Sequence, residues 1–295
     1  MKTRFIKQFQ VGILAMAGLL AAPTFGATII FDIGGVLSAS SNVGLVQEIG
    51  FFSGILPYVL AGNNPARLID QTFETLDYLF GKQQATPGRP LAYGEGQPLP
   101  QIMCLWLAGT IPAATIISEA NRLIDAGACD HLLPTQAQKI CIKRVITCCF
   151  DPAIYARHSY LIPNGVRLVK ACRRAGHRVL ILSNYAPDAF AACLEKPAFK
   201  KFFGSIGAEN IVVSGFVGMI KPHADIFEYT LQKYQLNPGA EQVVFIDNQE
   251  ENIAAAERAG IIGLLLQDDD YGTMYDQLEE LGLPVRAPVY APATP

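Results

Sequence analysis

The hydrophobic pattern divides the chain into two parts of different character. From residue 163 onward, short apolar runs such as VLILS (179–183) and VVFID (243–247) alternate with amphipathic stretches of helical period. Continuous Val, Ile and Leu strands joined by helices of this length indicate parallel strands that are covered on both faces. A similar run, ATIIF (27–31), lies more than a hundred residues upstream and is predicted to belong to the same sheet.

The block between these strands is predicted to be helical. Apolar residues recur at helical spacing over 66–80, 114–124 and 136–150. A loop rich in Gly and Pro over 81–100 interrupts the block, and the apolar run 102–117 is broken and too short for a membrane span. The pattern therefore predicts an α/β fold, a doubly wound parallel sheet with an inserted helical domain.

The predicted organisation has four parts. The sheet domain comprises residues 27–42 and 160–283, and the helical insertion, which we call the cap, comprises 43–159. Residues 1–26 have a cationic start, an uncharged apolar run and a small-residue end, which is the layout of a secretory signal peptide. A buried N-terminal helix is the alternative for this segment. The tail 284–295 is rich in proline and is predicted to be unpaired.

Export and charge limit the expected partners. A cleaved signal peptide would make the protein periplasmic or secreted, with no stable membrane span in the mature chain. The formal net charge of −3 and the lack of a basic run give no footprint for nucleic acid. Seven cysteines without a C-x-x-C pair contain no zinc motif, although export would permit disulfides among them.

Polar residues follow the predicted strands at one edge of the sheet. Asp32 follows the first strand, Ser183 and Asn184 end the second, Lys221 precedes a helix, and Asp247 ends a further strand. Ligands of open parallel sheets bind beyond the carboxyl ends of the strands, so these groups are expected to meet at one rim. A carboxylate beside a hydroxyl, an ammonium group and a second acid is suited to attack on a phosphoryl group.

Four stretches resemble, in order, the motifs of the haloacid dehalogenase superfamily: FDIGGVL, ILSN, GMIKP and FIDNQEENIAAAERAG. The insertion after the first motif resembles the helical cap of the subclass that contains sugar phosphatases, and the D-x-G start is similar to that of glucose-1-phosphatase-like members. The resemblance implies a Mg²⁺-dependent hydrolase that acts on a small phosphorylated metabolite through an aspartyl-phosphate.

The resemblance also implies a role for each matching catalytic residue. Asp32 would be the nucleophile that takes up the phosphoryl group. Ser183, with the amide of Asn184, would hydrogen-bond the transferring phosphoryl oxygens. Lys221 would neutralise the charge of both nucleophile and phosphate.

The metal site implied by the resemblance comprises Asp32, the main-chain carbonyl of Gly34, Asp247 and Asn248, with Mg²⁺ as the cofactor. Two of these positions depart from the family pattern. The typical family phosphatase has a general acid and base at the position of Gly34, and many relatives have a second acid at the position of Asn248. We therefore expect slower proton transfer and weaker binding of Mg²⁺.

Two alternative functions remain open. One is a metal-independent hydrolase similar to the dehalogenases of the family, which also lack the second aspartate. The other is a non-catalytic binding module or secreted effector that meets a protein partner through its apolar cap. Buried charges at strand ends oppose the second alternative, because burying a charge costs free energy that a protein without catalytic activity would have no reason to spend.

Overall fold

The computed structural model describes residues 26–81 and 99–285. The strands in these ranges are β1 (Thr28–Phe31), β2 (Ser38–Ser40), β3 (Ser159–Leu161), β4 (Arg178–Ser183), β5 (Ile211–Val213), β6 (Val243–Asp247) and β7 (Ile262–Leu265). The helices are α1 (Asn42–Ile49), α2 (Leu56–Leu60), α3 (Leu68–Phe80), α4 (Gln101–Leu107), α5 (Ala113–Asp125), α6 (Gln136–Phe150), α7 (Pro152–His158), α8 (Pro163–Arg174), α9 (Pro187–Leu194), α10 (Pro197–Ile206), α11 (Ser214–Val217), α12 (Ala224–Tyr234), α13 (Glu250–Arg258) and α14 (Tyr271–Glu280).

The main sheet has five parallel strands in the order β5-β4-β1-β6-β7, which confirms the predicted fold class. β1 is the central strand and pairs in parallel with β4 on one side and β6 on the other. Its apolar residues Ile29, Ile30 and Phe31 are fully buried. The residue that follows β1 therefore lies between the carboxyl ends of β4 and β6.

Helices cover both faces of this sheet. Alternate residues of β1 point to opposite faces, as the period of a strand requires. Ile29 and Phe31 belong to one apolar cluster with Leu168 of α8, and Ile30 belongs to another with Phe227 of α12. The two clusters form the core on which the polar edge of the sheet is built.

The helical block is connected to the sheet domain through a two-stranded antiparallel ribbon. The chain leaves along β2 and returns along β3, with Ser38 opposite Leu161. Helices α1 to α7 lie between these strands, and α3, α5 and α6 coincide closely with the stretches predicted from their spacing. α6 begins with a capping box, in which Thr135 and Gln138 each bond the other's backbone N–H. The boundaries assigned to the cap from the sequence stay a prediction.

The cap contacts the sheet domain through specific hydrogen bonds. The Asp188 carboxylate of α9 accepts from the Trp106 indole N–H at 3.3 Å and from the Ala113 backbone N–H at 3.4 Å. The buried Ser214 hydroxyl donates to the Leu107 carbonyl at 2.7 Å. The sheet domain thereby satisfies polar groups at the C-terminus of α4 and the N-terminus of α5.

All seven cysteines lie in the described residues, and no disulfide joins any of them. Six are buried, and burial raises the pKa of Cys172 to about 12. None of the described helices has both the length and the hydrophobicity that a membrane crossing requires. The predicted signal peptide, apart from Gly26, and most of the proline-rich tail lie outside the described residues.

Candidate active site

The turn after β1 places Asp32 at the centre of the sheet edge. The backbone N–H of Asp32 donates to the Ile246 carbonyl at 3.0 Å, which extends the pairing of β1 with β6 by one residue. The side chain is only 8% exposed. At Gly35 the backbone has φ = 77°, and a Cβ there would lie 2.4 Å from Nδ2 of Asn248. Only glycine fits this position without strain.

Lys221 bridges the two buried carboxylates of the site. Its Nζ lies 2.7 Å from Oδ1 of Asp32 and 2.6 Å from Oδ2 of Asp247. The lysine side chain is 1% exposed, and Asp247 is fully buried. One ammonium group thus faces two carboxylates away from water, and the trio carries one uncompensated negative charge.

The pKa values of Asp32 and Lys221 follow from burial and from the neighbouring charges. Burial raises the pKa of Asp32 to about 6, although Lys221 and a hydrogen bond from Ser183 lower it. Asp247 adds to the rise through charge repulsion. Burial lowers the pKa of Lys221, but the two carboxylates outweigh burial and leave this pKa above its usual value. The lysine therefore stays an ammonium group at neutral pH, and Asp32 ionises near pH 6.

Ser183 and Asn184 occupy the end of β4, beside Asp32. Ser183 is 1% exposed and hydrogen-bonds Asp32, so its hydroxyl lies at the predicted nucleophile. The side chain of Asn184 contacts the main chain of Lys221, because Nδ2 donates to the Lys221 carbonyl and Oδ1 accepts from the Lys221 N–H, both at 2.8 Å. The phosphate-binding role predicted for Asn184 concerns its backbone amide, which the structure does not test.

Asp247 is held by its own loop and by the helix that follows. Oδ1 accepts from the Gln249 N–H at 2.8 Å, and Oδ2 accepts from Nδ2 of Asn252 at 3.0 Å. Oδ1 of Asn252 is buried without a partner among the described residues. Asn252 was not predicted from the sequence. Its place in the first turn of α13, five residues after a strand-end acid, was the signal for it.

The residues predicted to bind Mg²⁺ are consistent with that ion. Asp32 and Asp247 supply two carboxylates at neighbouring strand ends, and Mg²⁺ usually binds one or two carboxylates while keeping several waters. No cluster of three or more His, Cys, Asp or Glu suited to a metal occurs in residues 26–81 and 99–285. Asn248 is exposed and lies against Gly35, so it adds at most a neutral oxygen.

A cavity of about 470 Å³ opens beside this site, on the side of β6 and β7. Gly35 and Asn248 line it together with Glu250 and the loop after β7. In that loop Asp268 and Asp269 both have left-handed backbone angles, with φ of 50° and 56°. The cavity adjoins the predicted metal ligand Asn248. Its walls carry the acidic side chains of Glu250, Asp268 and Asp269.

Comparison with known proteins identifies the domain. A family model for haloacid dehalogenase-like hydrolases matches residues 122–260. A haloacid dehalogenase-family enzyme of Bacteroides thetaiotaomicron, solved with magnesium and inorganic phosphate, shares the fold at 16% identity, with a TM-score of 0.51 over 84% of this chain and 98% of that one. Residues 122–260 match a haloacid dehalogenase-like hydrolase domain. A second structure of the Bacteroides enzyme gives 15% identity and a TM-score of 0.50, over 85% of this chain and 99% of that one.

A stretch of the chain is also similar to a phosphatase. A sesquiterpene phosphatase of Aspergillus oryzae is 35% identical over 60 residues, which make up 20% of this chain and 30% of that protein. The matched stretch therefore spans less than a third of the relative. The family match includes Ser183, Lys221 and Asp247 and does not reach Asp32. The resemblance found in the four motifs is confirmed at the level of the superfamily, and the role of each residue stays a prediction.

Proposed function

We propose that the haloacid dehalogenase-like domain is a Mg²⁺-dependent phosphomonoester hydrolase in which Asp32 is the nucleophile. One observation carries the proposal: Asp32 and Asp247, at adjacent strand ends, share the buried Lys221 ammonium group. Buried charges are expensive unless they are paired, and pKa values shifted by burial and charge occur often at catalytic sites.

The proposed reaction has two displacements. The ionised carboxylate of Asp32 attacks phosphorus, the bond from phosphorus to the ester oxygen breaks, and the departing oxygen takes a proton from solvent. Water then attacks the aspartyl-phosphate, releases inorganic phosphate and regenerates the carboxylate. Ser183 and the amide of Asn184 would bind the phosphoryl oxygens, while Lys221 would offset the charge that gathers around the phosphoryl group.

Mg²⁺, held by Asp32, the carbonyl of Gly34, Asp247 and the Asn248 amide, would supply positive charge next to the phosphate. This set of four ligands contains two carboxylates, so we propose a weak metal site that substrate oxygens help to complete. Because position 34 has no acid, leaving-group protonation falls to solvent.

The class of substrate is a further part of the proposal. We propose a small phosphorylated metabolite, and the likeness to a sesquiterpene phosphatase makes a prenyl phosphate one compound to try. A second function, binding of a protein partner, is favoured by the apolar surface of the cap. Phe52 and Leu60 are 81% and 77% exposed, and Val43 is 70% exposed.

We further propose that the protein is exported. Mass spectrometry of material from its native host should then show an N-terminus near Ala27.

Release of phosphate from an aryl phosphate, with and without Mg²⁺, tests the proposed function. Wild type should hydrolyse it only with Mg²⁺, and Asp32→Asn should not, although the amide is nearly isosteric. Asp125→Asn is the matched control, since it removes an exposed carboxylate that pairs with Lys143 on the cap. Activity without metal, or halide release from a 2-haloacid, would favour the dehalogenase alternative. An inactive wild type would favour the binding module.

A further inference from the structure

We propose that the side chain of Asn184 is a positioning residue that fixes the main chain of Lys221 and thereby holds its ammonium group between Asp32 and Asp247. The hydrogen bonds of Asn184 support the positioning itself. The expected effect on catalysis rests on the proposed function.

Asn184 binds Lys221 at two points. Its Nδ2 donates to the Lys221 carbonyl and its Oδ1 accepts from the Lys221 N–H, each at 2.8 Å. A side-chain amide that pairs with both polar groups of one residue fixes the orientation of that residue as well as its distance. Both ends of the Asn184 amide are engaged in this way, so the side chain is directed at the main chain of Lys221.

The main chain of Lys221 depends on this contact. Lys221 lies in an irregular turn between α11 and α12, outside the helices and strands that pair most backbone groups. Among the described residues, the hydrogen-bond partner of its N–H is Oδ1 of Asn184. A buried N–H or C=O without a partner is costly, so removal of the amide would favour another conformation of the turn.

The residue after Asn184 is itself firmly held. The Tyr185 N–H donates to the Ser214 hydroxyl at 2.9 Å, and the Tyr185 carbonyl accepts from the Gly215 N–H at 3.2 Å. Asn184 therefore projects from a loop anchored on both sides, by β4 before it and by α11 after it. The four-carbon side chain of Lys221 is flexible in itself, and it is fixed here at its main chain by Asn184 and at Nζ by the carboxylates.

The test compares Asn184→Ala and Asn184→Asp with Asn210→Ala. Alanine removes both contacts and leaves the backbone amide of residue 184 in place. Aspartate is isosteric and keeps an acceptor for the Lys221 N–H, but it places an oxygen opposite the Lys221 carbonyl. Asn210 donates to the Ile206 carbonyl at 2.9 Å, so its substitution deletes a comparable side-chain contact of the sheet domain outside the site.

Three measurements are made on each full-length variant: the kinetics with an aryl phosphate, amide hydrogen exchange at Lys221, and the ¹H–¹⁵N signal of the Lys221 ammonium group. In both Asn184 variants we expect faster exchange at Lys221, loss of the sharp ammonium signal, and kcat about 100-fold lower with KM changed little, because a displacement of about 1 Å has an effect of this size. Asn210→Ala should match wild type in all three.

A sharp ammonium signal and near-wild-type kcat in Asn184→Asp or Asn184→Ala would overturn the proposal. Equal losses in Asn210→Ala would also overturn it, since the effect would then be general loss of structure. If wild type shows the ammonium signal but releases no phosphate, the proposed function fails. The ammonium signals of the variants then decide the positioning role without reference to activity.

Discussion

Introducing an aspartate at position 34 is the sharpest test of whether the proposed reaction lacks a general acid and base. The structure leaves room for it, because a Cβ on Gly34 would meet only Oδ2 of Asp32, at an ordinary distance of 3.8 Å. Gly34 is also absent from the residues with positive φ. Gly34→Asp is therefore expected to fold. A carboxyl group added next to Asp32 should have a raised pKa through like-charge repulsion, which suits a general acid.

The expected gain depends on the leaving group. General acid–base catalysis contributes about 10²–10⁴-fold, and a good leaving group needs little of it. Gly34→Asp should therefore raise kcat/KM, which reports the first displacement, by about 10²-fold or more for alkyl phosphates and change it much less for aryl phosphates. Without the acid, wild type should prefer aryl, acyl and anomeric sugar phosphates. The second step should also be slow, so that the aspartyl-phosphate accumulates as a burst of leaving group.

The assay measures kcat/KM and burst amplitude across phosphates with leaving groups of graded pKa, for wild type, Gly34→Asp and Gly34→Asn. The asparagine variant has the same shape without the proton, so it controls for any effect of bulk. Rates in wild type that do not depend on the leaving group, with no burst, would show that another residue already serves as the acid. Equal rates in Gly34→Asp and Gly34→Asn would refute the proposed role of the carboxyl group.

Three further predictions concern the buried charges and the turn. For Lys221→Met we expect kcat to fall by about 10²–10³-fold, because two buried carboxylates lose their cation. In urea unfolding above pH 6, the free energy of unfolding should fall by about 3–5 kcal/mol for the same reason, and unchanged stability would contradict this. The value of kcat/KM should rise with pH through about 6 as Asp32 ionises, and higher Mg²⁺ should move this rise to lower pH; a rise whose position does not change with Mg²⁺ concentration would contradict this assignment. Gly35→Ala should lower thermal stability and activity, since its φ is 77° and a Cβ would meet Asn248, and a wild-type melting temperature would contradict this.

Much of the fold could be predicted because local periodicity reports burial. The apolar runs of β1, β4 and β6 and the spacing of α3, α5 and α6 were sufficient to predict a parallel sheet and a helical insertion. The carboxyl ends of neighbouring parallel strands lie at one edge, so Asp32, Ser183 and Asp247 could also be expected to meet.

The contacts that fix these groups could not be predicted in the same way. Asn184 and Lys221 are 37 residues apart, and nothing in their local pattern shows that the amide of one binds the main chain of the other. The same holds for the contact between Asp188 and Trp106, which joins the cap to the sheet domain.

The sequence by itself determined which residues carry charge, where the strands end, and that position 34 has no acid. Only the tertiary structure decided that one lysine serves two carboxylates, that Asn184 holds that lysine, and that the space beside Gly34 is open. The physical reason is that periodicity reflects whether a side chain is buried, whereas a hydrogen bond depends on distances of a few tenths of an ångström between atoms that are remote in the chain.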